Sequence, residues 1–554
     1  MFLILPTAGP MRPAGRPIAG ALTLLLCAAL AACGGGGGSP SSSGGIGDPS
    51  AGGGTPPSSP GPGDGGAPST LPAGPAAFYL SPSGDDRASC RSADTACRSF
   101  ATVFARMPAG GELVLLDGRY SAAAGTGTLH WDNGSHSAQP PSGTSASPTY
   151  VHALHPGKVT IEGPLFIGRS FRKDSHIHLR GLTFEGGGQL YNSSFVTIKD
   201  TGFHGAFGIG TNDHDAGNTD NLVEDVWVWA AGERAIAMNY RSHRNVWRRM
   251  VVRGDGCGTA ACAGSGNPNV GFTVYDSQDV SVQNVLVLDR VLLPGDAPYA
   301  DFAIASHTGG LYRFGRNEWL GTLSLHAPDI GYYMEPDAGT TVSPTLTVSN
   351  AVAWDAAAGG FNFDRAGNDF LLEHLVAHTR AGDALRVGPA LAGSGGVLRN
   401  VVVAGSGRYG LNSAFAASHV NISGQWSEGS FNQTTPAPLR GGDPLHDGSL
   451  KYPTRVEDGS PLAAAGQGGH DLGATLLHRY GRDAARHGEP GYREPTNTPL
   501  WPWPNEARIK AEMCTATRRG FCSQGKRLDG LRPVTLSSYV WEALGHPAPL
   551  SVAP

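Results

Sequence analysis

Between residues 176 and 407, apolar and polar positions alternate in short runs, and the runs recur. The copies are "IHLRGLTFEG", "VTIKDTGFHG", "NLVEDVWVWAAG", "NVWRRMVVRGDG", "VSVQNVLVLDR", "LTVSNAVAWDA", "FLLEHLVAHTRA" and "GVLRNVVVAGSG". Alternation with a period of two predicts strands. Each phrase is broken at its centre by a small or polar residue: Gly181, Asp200, Asp225, Arg249, Asn284, Asn350, His374 and Asn400. The steps are 19, 25, 24, 35, 66, 24 and 26 residues, so the long one hides at least one degenerate copy near "NEWLGTLSLHA". A second short alternating run, such as "AIAMN", "GFTVY" or "IGYYME", stands ahead of each phrase. A recurring unit of short strands without helical segments predicts a solenoid. The central Asp and Asn residues are expected at corners, bonding the turn backbone rather than doing chemistry.

The basic stretch "AIAMNYRSHRNVWRRMVVRGDG", residues 235–256, is then two strands of one coil joined by a turn over Tyr240 to Arg244. Alternation places Ile236, Met238, Trp247, Met250 and Val252 inward. It places Ala237, Asn239, Arg248 and Arg253 outward, with Arg249 at the corner. Most of this charge is expected to be solvated strand surface.

The flanks of the repeat carry a family resemblance. "FYLSPSGDDRASCRSADTACRSFATVFARMPAGGELVLLDGRYS" resembles the capping segment of pectate-lyase-like proteins, and "GSPLAAAGQGGHDLGA" at 459–474 is similar to a closing segment of exported β-helices. The resemblance implies an all-β chain: a right-handed, single-stranded parallel β-helix of about ten to twelve coils over 76–475, with an N-terminal capping helix. Residues 476–554 predict an aromatic-proline anchor and two short helices, packed on the side or bottom of the stack to cover its edges. Trp229, Trp354, His378 and Arg253 share one outward column, suited to sugar stacking or to packing under that segment.

Residues 1–33 pair a charged start, Arg12 and Arg16, with an apolar run of signal-peptide length ending in Leu30-Ala31-Ala32-Cys33. This resembles a bacterial lipobox, which implies lipidation of Cys33. With Gly34 following, it implies anchoring in the outer membrane through the lipid alone. Residues 34–75 are nearly all Gly, Ser, Pro, Ala, Thr and Asp, a flexible tether. Net charge is −5 and lysine is scarce, which argues against a nucleic-acid partner. The body is expected to be monomeric. Six further cysteines form three close pairs, Cys90 with Cys97, Cys257 with Cys262, and Cys514 with Cys522. On an exported chain they are expected as disulfides; zinc ligation is the rival, with unusual spacings.

Residues at matching positions of a parallel stack form columns with a rise of about 4.8 Å. Following the strand that opens each coil gives Asn239, Tyr240, Arg241 and His243; Tyr275 and Asp276; Ser306 and His307; Tyr333, Glu335 and Asp337; Asn362, Asp364 and Arg365; then Arg386. The resemblance implies a groove on such a mid-helix face, with an acidic polysaccharide lying along it. β-Elimination at a uronate needs the carboxylate neutralised and the C5 proton removed. Asp276, Glu335, Asp337 and Asp364 offer hard oxygens for Ca²⁺. Arg241 or Arg365 offers a two-pronged carboxylate clamp. His243, His307, Tyr240 or Tyr275 offers a base. Hydrolysis by a carboxylate pair is an alternative: Glu335 and Asp364 lie about one coil apart, roughly 5 Å, and Asp276 and Glu335 about two. A third reading is a surface lipoprotein that binds glycan or builds matrix without catalysis.

The strings characteristic of polygalacturonases are missing, and Arg508-Ile509-Lys510 lies in the C-terminal segment. No lysine falls between Lys199 and Lys451, which leaves arginine, histidine or tyrosine as a base on this face. If the acidic cluster carries the chemistry, Glu335→Gln keeps the fold and abolishes turnover; unchanged product release from the variant rules the cluster out.

Overall fold

The structure is a computed structural model. It describes residues 77–169, 172–210, 217–260, 262–263, 268–305, 316–335, 345–363, 369–387, 396–413, 417–422, 440–441, 451–515, 517–523, 525–545 and 547–552. Residues 1–76, which include the expected signal, Cys33 and the expected tether, lie outside these. No described helix is long and apolar enough to cross a membrane.

Strands wind into a parallel stack. A ten-stranded sheet, here sheet I, runs from Leu165–Ile167 through Ala235–Tyr240, Pro268–Tyr275, Ala297–Ala305 and Ile330–Glu335 to Leu411–Ser413. The recurring phrases form a second, 18-stranded sheet, sheet II. Each phrase is bent at its centre, so sheet II presents two outer faces. In-register parallel pairs such as Leu222↔Val246 and Val246↔Ser281 fix the stacking. The all-β solenoid expected from the repeat is therefore the fold. Its interior is apolar, with Phe203, Phe207, Trp247, Phe272, Phe302, Trp319, Tyr332 and Phe361 stacked along it. Helix Phe100–Arg106, capped by the Ser99 hydroxyl accepting from Thr102 N–H, buries Phe100 and Val103 against the N-terminal end of that core.

The bend of each phrase is one residue in the left-handed region. Gly181, Asp200, Asp225, Arg249, Asn284, Asn350, His374 and Asn400 have φ of 78°, 49°, 56°, 50°, 47°, 53°, 53° and 58°. The degenerate copy is centred on Gly321 (φ 64°), and His419 (φ 55°) adds a further one. Gly, Asn and Asp adopt this conformation at least cost, which is why they fill most of the column. Arg249 does not fit that logic, and its contacts explain how it is held.

The expectation that these corner side chains bond their own turn is corrected. The chain from 467 to 508 runs down the column as a strap and bonds it rung by rung. Asn400 Oδ1 accepts from Gln467 N–H at 2.7 Å, Asn350 Oδ1 from Thr475 N–H at 3.0 Å, and Asn284 Oδ1 from Tyr480 N–H at 2.6 Å. His374 Nδ1 lies 3.2 Å from Gly473 O, and Asn505 Nδ2 donates to Asp200 Oδ1 at 2.9 Å. Gly321 is needed for more than its φ, since a Cβ there would meet the Tyr480 ring at 2.9 Å.

Three of the five arginines in 235–256 are corrected too, because they are buried rather than solvated, while Arg241 is half-buried and Arg244 stays exposed. Arg248, Arg249 and Arg253 are among the largest fully buried side chains. Arg248 donates to Glu224 Oε2 (2.9 Å), Gln283 Oε1 (2.7 Å) and the strap carbonyls of Arg482, Ala485 and Tyr492. Arg249 pairs with Asp225 at 2.6 Å, Glu224 at 3.3 Å and the strap's Asp483 at 2.9 Å. Arg253 is chelated by Asp255 and donates to Met513 O, so Arg253-Gly254-Asp255 is a structural clasp. Gly481 makes room for this network; a Cβ there would lie 2.5 Å from Arg248 Nη2.

Beyond the charges, Trp229, Val251, Leu286, Leu323, Val352 and Trp354 pack against Trp501, Ile509, Met513, Tyr539 and Trp541 of the C-terminal segment. Trp354 Nε1 donates to Ala543 O, so the Trp229/Trp354 column serves packing and not sugar stacking. Arg508 and Lys510 are likewise structural, bonding Glu512 and Val534 O. All three cysteine pairs are disulfides, with Cα separations of 4.9, 6.0 and 5.2 Å. Cys514–Cys522 staples the loop after helix Glu506–Met513.

Alternation also misplaced three residues of one strand, with Ala237 inside the stack as well. Asn239 is fully buried inside the stack, and Met238 lies on the outer face. The Asn239 amide donates to Ser242 O and Ser277 Oγ and accepts from Asn245 Nδ2 and Trp247 Nε1, so its burial costs little.

Burial alone would raise the Glu224 carboxyl, but the charges of Arg249, Lys199 and Arg248 outweigh it and hold its pKa at about 2, down from 4.5. Its contribution to stability is full above pH 4.5 and is lost as pH falls through about 2. Arg248→Ala removes one of the three cations around this carboxylate, leaving Lys199 and Arg249, and is expected to cost about 1.5–3 kcal/mol in denaturant unfolding at neutral pH, with the deficit shrinking on acidification through that window. A variant as stable as the parent refutes the assignment.

Candidate functional site

The C-terminal segment covers both outer faces of sheet II in mid-stack, which leaves the outer face of sheet I as the candidate site. Register fixes its rows. One runs Gly208, Met238, Thr273, Ala303, Tyr333, Asn362 and Arg386. The next runs Gly210, Tyr240, Tyr275, Ala305 and Glu335. A third row lies one residue ahead of the strand pairing Ala235↔Val270↔Ala300↔Ile330 and carries Arg234, Asn269, Tyr299 and Asp329.

At the centre the Tyr240 and Tyr275 rings stack, with centroids 5.4 Å apart and planes 18° from parallel. The Arg241 guanidinium lies over the Tyr240 ring at 4.8 Å, a cation–π contact, and its Nε is 3.4 Å from Asp276 Oδ2. Arg241 and Asp276 both sit at positive φ, 47° and 46°, so each strand ends in a sharp turn that carries its charged side chain beside the tyrosines. Arg234, at the opposite end of the strand, is within electrostatic reach of both hydroxyls. One coil further, Tyr299 and Tyr333 meet edge to face at 4.8 Å. The Tyr240 and Tyr275 rings are almost wholly buried, while Arg234, Arg241, His243, Tyr299 and Asp329 are half-buried at the rim.

These surroundings set protonation. Burial, reinforced by the Asp276 charge, pushes the Tyr275 hydroxyl well above its ordinary value, and burial raises Tyr240. Both hydroxyls therefore stay protonated at neutral pH. Burial lowers His243, which keeps its imidazole neutral. Its Nδ1 accepts from Gln278 N–H at 3.3 Å, so the ring sits beside the turn three residues beyond Tyr275. Burial raises Asp329 to about 6 from 3.8, with the Asp301 charge adding to it and Arg290 opposing. Behind it lies a fully buried pair, Arg290 Nε to Asp301 Oδ1 at 2.8 Å, with Ser324 Oγ donating to Asp301 Oδ2. Glu233, directly before Arg234, is also raised by burial.

Of the residues singled out from sequence, the structure brings Tyr240, Arg241, Tyr275 and Asp276 together and puts His243 in the adjoining turn. Glu335 keeps its place by backbone in the Tyr275 row, two strands along, and its side chain lies outside the description. His307, Asp337, Asp364 and Arg365 lie outside the described residues. Arg234, Glu233 and Asp329 were missed. The signal was a charged residue directly ahead of an alternating run, in "GERAIAMNY" and "APDIGYYME", whereas the columns were counted along the strands and the turns after them.

Calcium takes six to eight oxygen ligands. Among the four expected ligands only the Asp276 side chain is described, and it is buried against Arg241. The described residues do not make a calcium shell, and no step below runs through one. Among them, one grouping has metal-ligand proximity, Cys257, Cys262 and Asp296. Its sulfurs are joined in a disulfide, and Asp296 accepts from Cys257, Gly258 and Leu293 N–H.

No family model and no curated protein matches the chain. Among solved structures it is similar to pectate lyase Pel9A, with 14% identity over 72% of this chain and 95% of that one and a TM-score of 0.40. It is also similar to the GH136 lacto-N-biosidase from Eubacterium ramulus (11%, 61% and 68%, 0.37) and the PL6 family alginate lyase AlyGC (9%, 70% and 55%, 0.34). At these values the likeness is one of stacked winding, and the chemistry has to come from this chain's own side chains.

Because the folded Asp329 carboxyl titrates near 6 rather than 3.8, its contribution to stability is present below 3.8 and lost as pH rises through about 6. Asp329→Asn is therefore expected to raise the melting temperature above that pH and to leave it unchanged well below. A gain independent of pH contradicts the assignment.

Proposed function

We propose that this protein is an exported enzyme, held at the outer membrane through a lipid on Cys33, that cleaves an acidic polysaccharide by β-elimination on the outer face of sheet I. One observation supports this most: the stacked Tyr240/Tyr275 pair is bracketed by guanidinium groups from both strand ends, Arg234 and Arg241. A uronate needs such a frame. A guanidinium pairs with the carboxylate and withdraws charge from it, which acidifies the C5 proton. The neutral His243 imidazole accepts that proton. The C4–O bond breaks, the leaving oxygen takes the Tyr275 hydroxyl proton, and a C4=C5 double bond remains on the new non-reducing end. Proton exchange between imidazolium and tyrosinate through water restores the site. Asp276 orients Arg241 and keeps its charge at the tyrosine edge.

A second reading is hydrolysis, favoured by Asp329, which burial keeps protonated up to about pH 6 and which thus suits a general acid. Products separate the two. Elimination gives unsaturated ends that absorb in the ultraviolet; hydrolysis gives reducing ends without that absorbance; a binding protein releases nothing. With polygalacturonate and alginate as substrates, unsaturated product is expected. Arg234→Ala and Arg241→Ala each are expected to lower kcat/KM by roughly tenfold to a hundredfold, the loss of a hydrogen bond to a charged group of about 1.5–3 kcal/mol. No release from any polyuronate, or arginine variants indistinguishable from the parent, overturns the proposal.

A further inference from the structure

A second aromatic and basic cluster sits on sheet II near the N-terminal end. Tyr150 and His178 are register neighbours on strands Thr149–Ala153 and Ile177–Arg180, with rings edge to face at 5.0 Å. In the turns just ahead, His176 and Phe195 occupy equivalent positions on successive coils, and their rings stack at 4.8 Å, 15° from parallel. Both have positive φ, 54° and 55°. An aromatic residue in that conformation carries a cost of about 1–2 kcal/mol. Turn-making does not demand it, because the next coils place Asp220, Arg244 and Asp279 at the same position.

Nor does packing account for the rings. Tyr150 is 43% exposed and Phe195 37% exposed, the most exposed Phe, Tyr or Trp side chains among the described residues. Between them lies Arg486 of the strap. Its Nη2 donates to Thr197 Oγ1 at 2.7 Å, His178 Nε2 at 3.1 Å and Phe195 O at 3.4 Å. These are neutral acceptors, and no carboxylate among the described residues lies within ion-pair distance of this guanidinium. Burial lowers both histidines, His178 to about 4, so they stay uncharged and leave Arg486 as the cation of the cluster. Exposed rings around a guanidinium that feels the Glu489 and Asp220 carboxylates but forms no ion pair with either match a sugar acid: its C–H faces lie on rings, and its carboxylate meets the guanidinium.

We propose that Tyr150, His176, His178, Phe195 and Arg486 form a surface subsite for the uronate units of an anionic polysaccharide, which holds a long chain without cleaving it. This rests on the acidic-polysaccharide reading above, and the test separates the two. The full-length protein is run in native gels containing polygalacturonate, alginate or neutral dextran, and release of unsaturated ends from short oligouronides is measured in parallel. The parent is expected to be retarded by the polyuronates and not by dextran. Tyr150→Ala/Phe195→Ala is expected to weaken retardation by roughly fivefold to tenfold in apparent Kd, with melting temperature and oligouronide turnover unchanged. Arg486→Lys, which keeps the charge but loses the three-way bonding, is the milder variant should the double one unfold, and is expected to weaken retardation in the same direction. Arg241→Ala is expected to do the opposite, losing turnover while keeping retardation. Unchanged retardation in the double variant, or equal retardation by dextran, overturns the subsite and leaves the sheet I reading standing. A parent retarded by no polyuronate also overturns the subsite, whereas a parent that is retarded but releases no unsaturated ends overturns the sheet I reading. Self-association that depends on Tyr150 and Phe195 assigns the surface to a second copy and overturns the subsite.

Discussion

The structure depends on one left-handed residue per coil. A strand that turns a corner without a loop must spend a residue in a region that L-amino acids avoid, at a cost on the order of 1–2 kcal/mol unless it is Gly, Asn or Asp. Stacking the corners turns a local cost into a column. Because the bends share register, the side chains of Asn284, Asn350 and Asn400 stand in line with their carbonyl oxygens turned away from the core. That line of acceptors is what the strap reads. Backbone N–H groups of Tyr480, Thr475 and Gln467 meet them in reverse order, so one extended segment bonds coils more than a hundred residues apart.

Hydrogen bonding to the corners fixes where the strap runs, and buried charge fixes its register there. Glu224, Asp225, Arg248 and Arg249 lose their water under the strap, an expensive arrangement unless every group finds a partner. Asp483 and three strap carbonyls supply those partners at one alignment, so a shifted strap leaves guanidiniums unpaired. The tryptophans and aliphatics on the neighbouring face then add burial without needing to specify position. With both faces of sheet II occupied in mid-stack, sheet I is the candidate face, and the Tyr240/Tyr275 pair with its arginines is on it.

How much of this was legible in the sequence follows from where each determinant lies. The corner column was legible because left-handed chemistry is local: Gly, Asn and Asp announce it, and even Gly321 was implied by the overlong step. Tyr240, Arg241, Tyr275 and Asp276 were legible as neighbours because parallel register can be counted once a strand is recognised. The burial of Arg248 was not, since its partners lie more than 230 residues away and no property of its own strand differs from a wet one. Asn239 was misplaced for a related reason. Polarity decides facing only where water is the available partner, and here Asn245, Trp247 and Ser277 replace it. Arg234 and Asp329 escaped because their row lies just ahead of the strands, where alternation has not yet begun.

Strap and site are also mechanically connected. The turn that bears Arg241 and His243 ends at Arg244, whose Nε pairs with Asp220 at 2.8 Å and whose Nη2 donates to the strap carbonyl of His487. On its other side the turn is held by His243 accepting from Gln278 of the next coil. Arg241 is thus positioned between a rung of the stack and a segment that the Glu224–Arg248 network keeps in place, two residues before His487 at Ala485. Whatever loosens that network loosens the turn, and with it the distance between a guanidinium and the tyrosine pair. Burying a charge network beneath a covering segment is a poor way to gain stability, since apolar side chains would do as well. As a means of fixing one strap register, and through it the angle of the turn that carries Arg241 and His243, it is a direct one.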